Sequence, residues 1–372
     1  MKFLLSTLFI FSILLSYGQN ILVADNNPNA PAGAHVYNTL QAAIDAAVPG
    51  DIIHVVPSAT EYDGATISVT TDSISIFGIG FNPQKDGPQV ATVSVMRVSA
   101  SNVRISGLNF NDYVYVGYLD GNYSGVTIEN CSLNYVDSGT SANITVSNLL
   151  VRGCIFNRDG NDSFQAIDFS DRVNQSVITN CVIVGYHSTS NTEYGDVVAT
   201  NGTIIKNCIF FGDGRINKPV FEDLTNCTIS NNIFFGKYPG AASFATFENN
   251  VFNNNVAVGT PDPTLPPTGT GSGNSGTGNF TSITDSTSIF TDPNIAVPEI
   301  NNVWEWSFLW DPEVANPSLV SGGTDGTDVG VKGATIPYSP FGTPLPLIKR
   351  LIVPEVIRQG DNLDATIEAE GY

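Results

Sequence analysis

The stretch VTIENCSL (126–133) returns in varied form as VRISGLNF (103–110), LLVRGCIF (149–156), SVITNCVI (176–183), TIIKNCIF (203–210), CTISNNIF (227–234) and ATFENNVF (245–252). Apolar residues alternate within each copy, which is the two-residue period of a strand, and Gly or Asn holds the same place in every copy. Measured at that place (Gly107, Asn130, Gly153, Asn180, Asn207, Asn231, Asn249), the spacings are 23, 23, 27, 27, 24 and 18 residues. A helical repeat would need a longer unit with helical spacing. Each unit is therefore a coil of short strands, and loops such as Asp137–Ser141 and Ser188–Gly195 absorb the variation.

One such coil cannot bury its apolar face alone. Stacking the coils about 4.8 Å apart closes a continuous core and a hydrogen-bond ladder. Parallel strands with right-handed crossovers give an all-β fold, a right-handed parallel β-helix. Each place in the repeat then becomes a column along the solenoid.

Ile128, Val151, Ile178, Ile205 and Ile229 form one inward column; Leu133, Phe156, Ile183, Phe210, Phe234 and Phe252 form another. Cys131, Cys154, Cys181 and Cys208 share an inner corner that continues as Asn232 and Asn250, while Cys227 falls in the column of Val126 and Leu149. With five Cys and no C-x-x-C spacing, buried free thiols are expected, the alternative being disulfides between neighbouring coils. Glu129, Arg152, Thr179, Lys206 and Ser230 read as a solvated face with weak ion pairing. The outward column Ile155, Val182, Ile209, Ile233 and Val251 is too apolar to stay wet, and the long C-terminal segment is the natural cover.

Composition agrees with a turn-rich solenoid. The 372 residues include 35 Gly, 21 Pro and 37 Asn, and only 13% are charged. Fifteen Lys and Arg face 35 Asp and Glu, for a formal charge of −20, which excludes a basic nucleic-acid surface. Residues 1–18 have the layout of a signal peptide, so the mature chain is expected to be secreted or at the cell surface, with no transmembrane segment. The expected organisation is signal peptide 1–18, capped β-helix 19–256, a Gly/Thr/Pro-rich loop 257–282, and a closing segment with terminal strands 283–372, packed on the solenoid. At the N-terminal end, Asn38 and Gln41 suggest a helix start and Pro49-Gly50 a stop, with Leu40, Ala43, Ile44 and Ala47 as the apolar face of a capping helix.

From Thr39 to Pro57 the chain resembles the N-terminal cap of secreted bacterial right-handed β-helix proteins with the pectin-lyase fold, T-[IL]-Q-x-A-[IV]-x-x-A-x-x-G-D-x-I-x-V-x-P. Asn316-Pro317, Gly323, Asp325, Asp328, Val329 and Gly330 resemble their closing segment. With both ends and the repeats, the resemblance covers most of residues 36–334. It implies an extracellular polysaccharide as partner, and three roles: a glycan-binding surface protein, a calcium-dependent uronate lyase, or a structural adhesin. Hydrolase landmarks (Asn-Thr-Asp, Asp-Asp, Gly-His-Gly, Arg-Ile-Lys) and the Arg-x-Pro-x-x-Arg element of pectate lyases are missing, so no catalytic residue transfers directly.

Site candidates follow from position instead. The strands Tyr113–Tyr118, Asn143–Ser147, Phe164–Ser170, Asp196–Thr200 and Pro219–Asp223 are expected to share one sheet bearing a cleft. Arg172, Lys218 and His187 are its candidate catalytic residues, and Tyr113, Tyr115, Tyr194 and Arg215 its candidate sugar contacts. Asp168, Asp196, Glu222 and Asp223 are candidate calcium ligands. Asp325 and Asp328 are expected to brace the closing turn. The net charge repels an acidic polymer, so such a ligand would need a cation or a local basic patch.

Overall fold

The computed structural model describes residues 19–30, 33–81, 90–139, 141, 143–157, 165–169, 172–185, 196–198, 201–212, 219–241, 246–260, 262–267, 271–296 and 306–338, with the backbone of 347–352 and 366–370. Residues 1–18, where a signal peptide is expected, lie outside this set. No helix among the described residues is long and apolar enough to cross a membrane.

The chain is a right-handed parallel β-helix. One face is a parallel sheet of 12 strands running from Val36–Tyr37 to Ser275–Thr277. The other two faces share the long strand Thr92–Val98, whose first residues pair with Asn109–Phe110 and whose last pair with Tyr113–Val116. Past that fork, the second face continues through Ser132–Leu133, Ile155–Phe156, Val182–Val184, Ile209–Phe211, Ile233–Phe235 and Val256–Val258. The third continues through Tyr135–Ser138, Ile167–Asp168, Val197–Val198, Pro219–Glu222 and Tyr238–Ala241.

The repeated Gly or Asn turns the chain from the first face to the second in the left-handed backbone region, which glycine and asparagine tolerate best. Gly107, Asn130, Gly153, Asn180, Asn207, Asn231, Asn254 and Gly278 all have φ between 49° and 70°. The last repeat is therefore placed five residues later than the sequence suggests: Asn254, not Asn249, follows Asn231, at a spacing of 23. Asn249 belongs to the corner before the first face, beside Asn226. The error arose because both corners of that coil carry Asn-Asn, so two registers fit the pattern equally well. It displaces three further assignments. Phe252 continues the Ile128 column, Ala257 follows Phe234, and Val256 follows Ile233 in the outward apolar column.

Corner filling changes along the axis. Cys131, Cys154, Cys181 and Cys208 are free and buried, and each thiol donates to the carbonyl two residues earlier, at 3.2–3.4 Å. Beyond Cys208 the column continues as Asn232, Asn255 and Asn279. Here Asn232 Oδ1 accepts from Cys208 N, Asn255 Oδ1 from Asn232 N, and Asn279 Oδ1 from Asn255 N, at 2.9–3.0 Å. Asn250 belongs to the other corner, where Cys227, Asn250 and Asn274 repeat the device. A buried amide is stable there because its Oδ1 accepts from a backbone N–H of the preceding coil and its Nδ2 donates to a carbonyl of that coil.

Helix α1, Leu40–Ala46, closes the N-terminal end with Leu40, Ala43 and Ile44 buried against the core. Its N-cap is Thr39 rather than Asn38: the Thr39 hydroxyl accepts from Ala42 N at 3.1 Å, while Asp63 takes the Leu40 and Gln41 amides. Gln41 is freed to bind both backbone groups of Ser68, covering a strand edge.

The outward apolar column is dry. Ile155, Val182, Ile209, Ile233 and Val256 are fully buried under Ile289, Phe290, Trp306, Leu319, Val329 and Val331. Corner asparagines fasten this cover. Asn254 Nδ2 donates to Gly322 O, Asn231 Oδ1 accepts from Thr324 N, Asn207 Nδ2 donates to Asp328 O, and Asn180 Nδ2 donates to Val331 O and Gly333 O. Each of these asparagines thus serves a left-handed turn and a docking bond at once, which a glycine could not. Asn180→Gly keeps the turn and loses both docking bonds and the one accepted from the Thr179 hydroxyl, and is expected to lower stability by about 2–3 kcal/mol, read from the denaturant midpoint. Asp325 and Asp328 do brace the closing turn, accepting from Thr327 N and Ser321 N. Leu347–Ile352 pairs antiparallel with Thr366–Glu370.

Candidate functional site

The third face holds the strands expected to bear a cleft, and its membership differs from that expectation in one strand. Ile144–Ser147 lies in a separate small sheet with Gly121–Ser124 and Val173–Asn174, and Tyr135–Ser138 takes its place. Val114, Val136, Ile167, Val197 and Phe221 point inward and are fully buried. Strand alternation therefore aims Arg97, Tyr115, Asp137, Asp168, Val198 and Glu222 outward as one in-register column.

At its N-terminal end this column is aromatic. Tyr113 lies edge-on to Tyr115 with ring centroids 4.6 Å apart and stacks on Tyr135 at the same distance. Tyr118 sits 5.7 Å from Tyr115, and the Arg97 guanidinium lies 3.8 Å above the Tyr118 ring. Tyr113 and Tyr115 do share a face, as alternation requires. Tyr135 is buried, Tyr113 and Tyr115 are partly buried and Tyr118 is exposed; locked against one another, they form a stiff platform with little side-chain entropy left to lose on binding. Burial pushes the Tyr115 and Tyr135 phenols above their ordinary range, so they stay protonated.

Next along the column, Asp137 faces Asp168 across adjacent strands. Partial burial, and then the neighbouring Asp168 charge, push the Asp137 carboxyl up to about 7, against an opposing pull from Arg172. Arg172 itself is anchored by Nε donating to Ser141 O at 3.1 Å. The arrangement is thus a carboxyl pair beside a guanidinium, bordered by tyrosines. The sequence pattern places Asp137 in a loop, whereas it lies within the strand Tyr135–Ser138. The signal that could have found it is the match of Tyr135-Val136-Asp137 to Tyr113-Val114-Tyr115 one coil earlier.

The four carboxylates expected to hold calcium are not brought together. Asp168 and Glu222 share the column with Val198 between them. Asp196 is buried and paired with Lys237 at 2.9 Å, and Asp223 accepts from Thr246 N at the next corner. Among the described residues no group of three or more acidic, His or Cys side chains gathers as metal ligands. Lys218, His187, Tyr194 and Arg215 lie outside the described residues.

The Lys237–Asp196 pair is unusual for its reach. Lys237 runs back past Gly212 to Gly185, and a side chain at either glycine would collide with its stem. The ion pair thus links coils two steps apart.

The first face also departs from expectation. Glu129 is fully buried, not solvated, because Arg104 and Arg152 close over it from the coils on either side, each ion-paired to one carboxylate oxygen. Glu129→Gln would leave the exposed Arg104 and the more buried Arg152 without their counter-charge. A loss of about 2 kcal/mol is expected, below the cost of stranding a fully buried charge, measured as a shift in the urea midpoint at pH 7.

No family model matches the chain, and no curated protein matches it in sequence. Among solved structures it is similar to an alginate lyase from Paenibacillus sp. str. FPU-7, at 16% identity over 64% of this chain and 92% of that one, with a TM-score of 0.37. It is also similar to pectate lyase Pel9A, at 14% identity over 85% of this chain and 96% of that one, with a TM-score of 0.45.

Proposed function

We propose that the protein binds extracellular polysaccharide along its third face, with the tyrosine platform as the main contact. The observation that carries this reading is the set of interlocked rings of Tyr113, Tyr115 and Tyr118, partly open to solvent at the N-terminal end of the third face. Sugar rings present apolar C–H faces that stack on such rings. The neighbouring acidic column and the net charge of −20 favour a neutral chain, or an acidic one loaded with cations. On affinity gels with neutral and uronate polysaccharides, Tyr115→Ala is expected to weaken retention about 30-fold, the effect of losing an aromatic anchor. Equal retention of the parent and Tyr115→Ala chains would defeat the proposal.

A second reading, polysaccharide lyase, is favoured by the Asp137–Asp168 pair. In β-elimination from a uronate, a base takes the proton α to the carboxylate, the C–O bond at the β carbon breaks, and the leaving oxygen takes up a proton. Asp137, still partly protonated near pH 7, suits the acid role; Asp168 suits the base, and Arg172 can offset the charge of the sugar carboxylate. Calcium, if used, would find its best seat between Asp137 and Asp168, where it would relieve their repulsion. Mixing the protein with uronate polymers, with and without calcium, tests this by the absorbance of unsaturated ends. Product formation lost in Asp168→Asn and Arg172→Ala supports the lyase; no product from any uronate leaves binding as the function.

A further inference from the structure

A cleft of about 170 Å³ lies on a different side of the solenoid from the tyrosine platform, between the first face and the C-terminal cover. Arg152, Thr179 and Lys206, in register on three successive coils, and Asn180 at the adjoining corner line it from the solenoid side; Asp325, Ala334, Thr335 and Ile336 line it from the cover. The cover is held there by Asn180 and Asn207, so both walls are fixed relative to each other.

Its solenoid wall is cationic, with Arg152 and Lys206, while Asp325 on the cover supplies one carboxylate. Glu129 offsets one of its two arginine partners and leaves the other in excess. Lys206 has no carboxylate within ion-pair distance among the described residues. Against its own desolvation, Asp325 is held below the usual carboxylate range by hydrogen bonds from Thr327 and, to a lesser degree, by the Lys206 charge. In a chain of formal charge −20, a lysine left without an ion-pair partner beside an arginine is a local anion trap. Thr179 gives its hydroxyl proton to Asn180 Oδ1 at 2.6 Å, so the lining donors left for a ligand come chiefly from the two cations. Opposite them, Ile336 is 53% exposed and, with Ala334, offers an apolar wall. The volume falls below the roughly 300–1,000 Å³ of sites for drug-sized ligands, so the cleft suits one small group and not a polymer.

We propose that this cleft binds a small organic carboxylate, its anionic end between Arg152 and Lys206 and its compact aliphatic body against Ile336 and Ala334. This is independent of the glycan reading, since none of its residues belongs to the third face. The test follows the methyl resonances of Ala334 and Ile336 in the mature chain during titration with isobutyrate, its neutral analogue isobutyramide, and sulfate. Saturable shifts with isobutyrate are expected, at least tenfold weaker with isobutyramide and with sulfate. Lys206→Met should weaken isobutyrate at least tenfold and Lys206→Arg should restore it, while Tyr115→Ala leaves it unchanged. Both Lys206 substitutions are at a partly exposed position, so unchanged melting temperatures should accompany them. Equal response to the amide would overturn the anion site, equal response to sulfate would overturn the apolar wall, and unaltered binding by Lys206→Met would place the ligand elsewhere.

Discussion

Asp137→Asn should stabilise the protein at pH 8 by about 2 kcal/mol and leave it nearly unchanged at pH 4. In the folded chain the carboxyl titrates at about 7, whereas an unfolded aspartate titrates near 3.9. The native state therefore holds this proton more tightly than the unfolded state. That contribution is fully present below about pH 3.9 and is lost as the pH rises through 7. A gap of about three pH units corresponds to at most about 4 kcal/mol, and partial exposure of Asp137 roughly halves it through solvent screening. Asparagine mimics the protonated form at every pH, so the benefit appears only where the parent is ionised. Urea midpoints of both chains at pH 4 and pH 8 measure this; the same difference at the two values would refute a raised Asp137. Asp168→Asn should capture a smaller share, because burial, which it leaves in place, is the larger cause of the shift.

Loss of the C-terminal cover should be the most damaging change of all. A chain ending at residue 282 would bare Ile155, Val182, Ile209, Ile233 and Val256 together with Val184, Phe211, Phe235 and Val258, all now buried. That is a contiguous apolar surface of the kind that drives association. Such a chain is expected to elute as aggregate in size-exclusion chromatography, and a well-behaved monomer would count against the role of the cover. A milder probe is Trp306→Ala. Trp306 is 1% exposed, lies edge-on to both Phe211 and Trp310, and its backbone is held by Asn157 through two hydrogen bonds. Its loss should cost about 3–5 kcal/mol and increase binding of a hydrophobic dye.

Most of the solenoid is legible in the sequence because a stacked coil repeats its requirements. The inward Ile128 column, the corner Gly and Asn, the thiol column and the need for a cover over Ile155 can all be read from spacing. Reading fails where two places in one coil ask for the same residues. Asn-Asn at 249–250 and again at 254–255 satisfies both corners, and only strand pairing tells them apart. It fails again where a function depends on neighbours in adjacent coils. Glu129 looks like a surface carboxylate until Arg104 and Arg152 are seen above and below it. Asp137 looks like a loop residue until Tyr135-Val136-Asp137 is set against the strand before it. The carboxylates picked out by strand position lie apart for the converse reason: one of them, Asp196, is turned toward a buried lysine.

That lysine bears on how the molecule comes apart. A stack of coils linked only to nearest neighbours melts like a one-dimensional array, able to lose units singly from either end. Lys237 bonds Asp196 across an intervening coil through the space left by Gly212 and Gly185. None of the three coils can open without breaking a pair buried from water, so they should behave as one cooperative block. Unwinding from the C-terminal end should stall there, and amide hydrogens on both sides of the block should exchange before those within it.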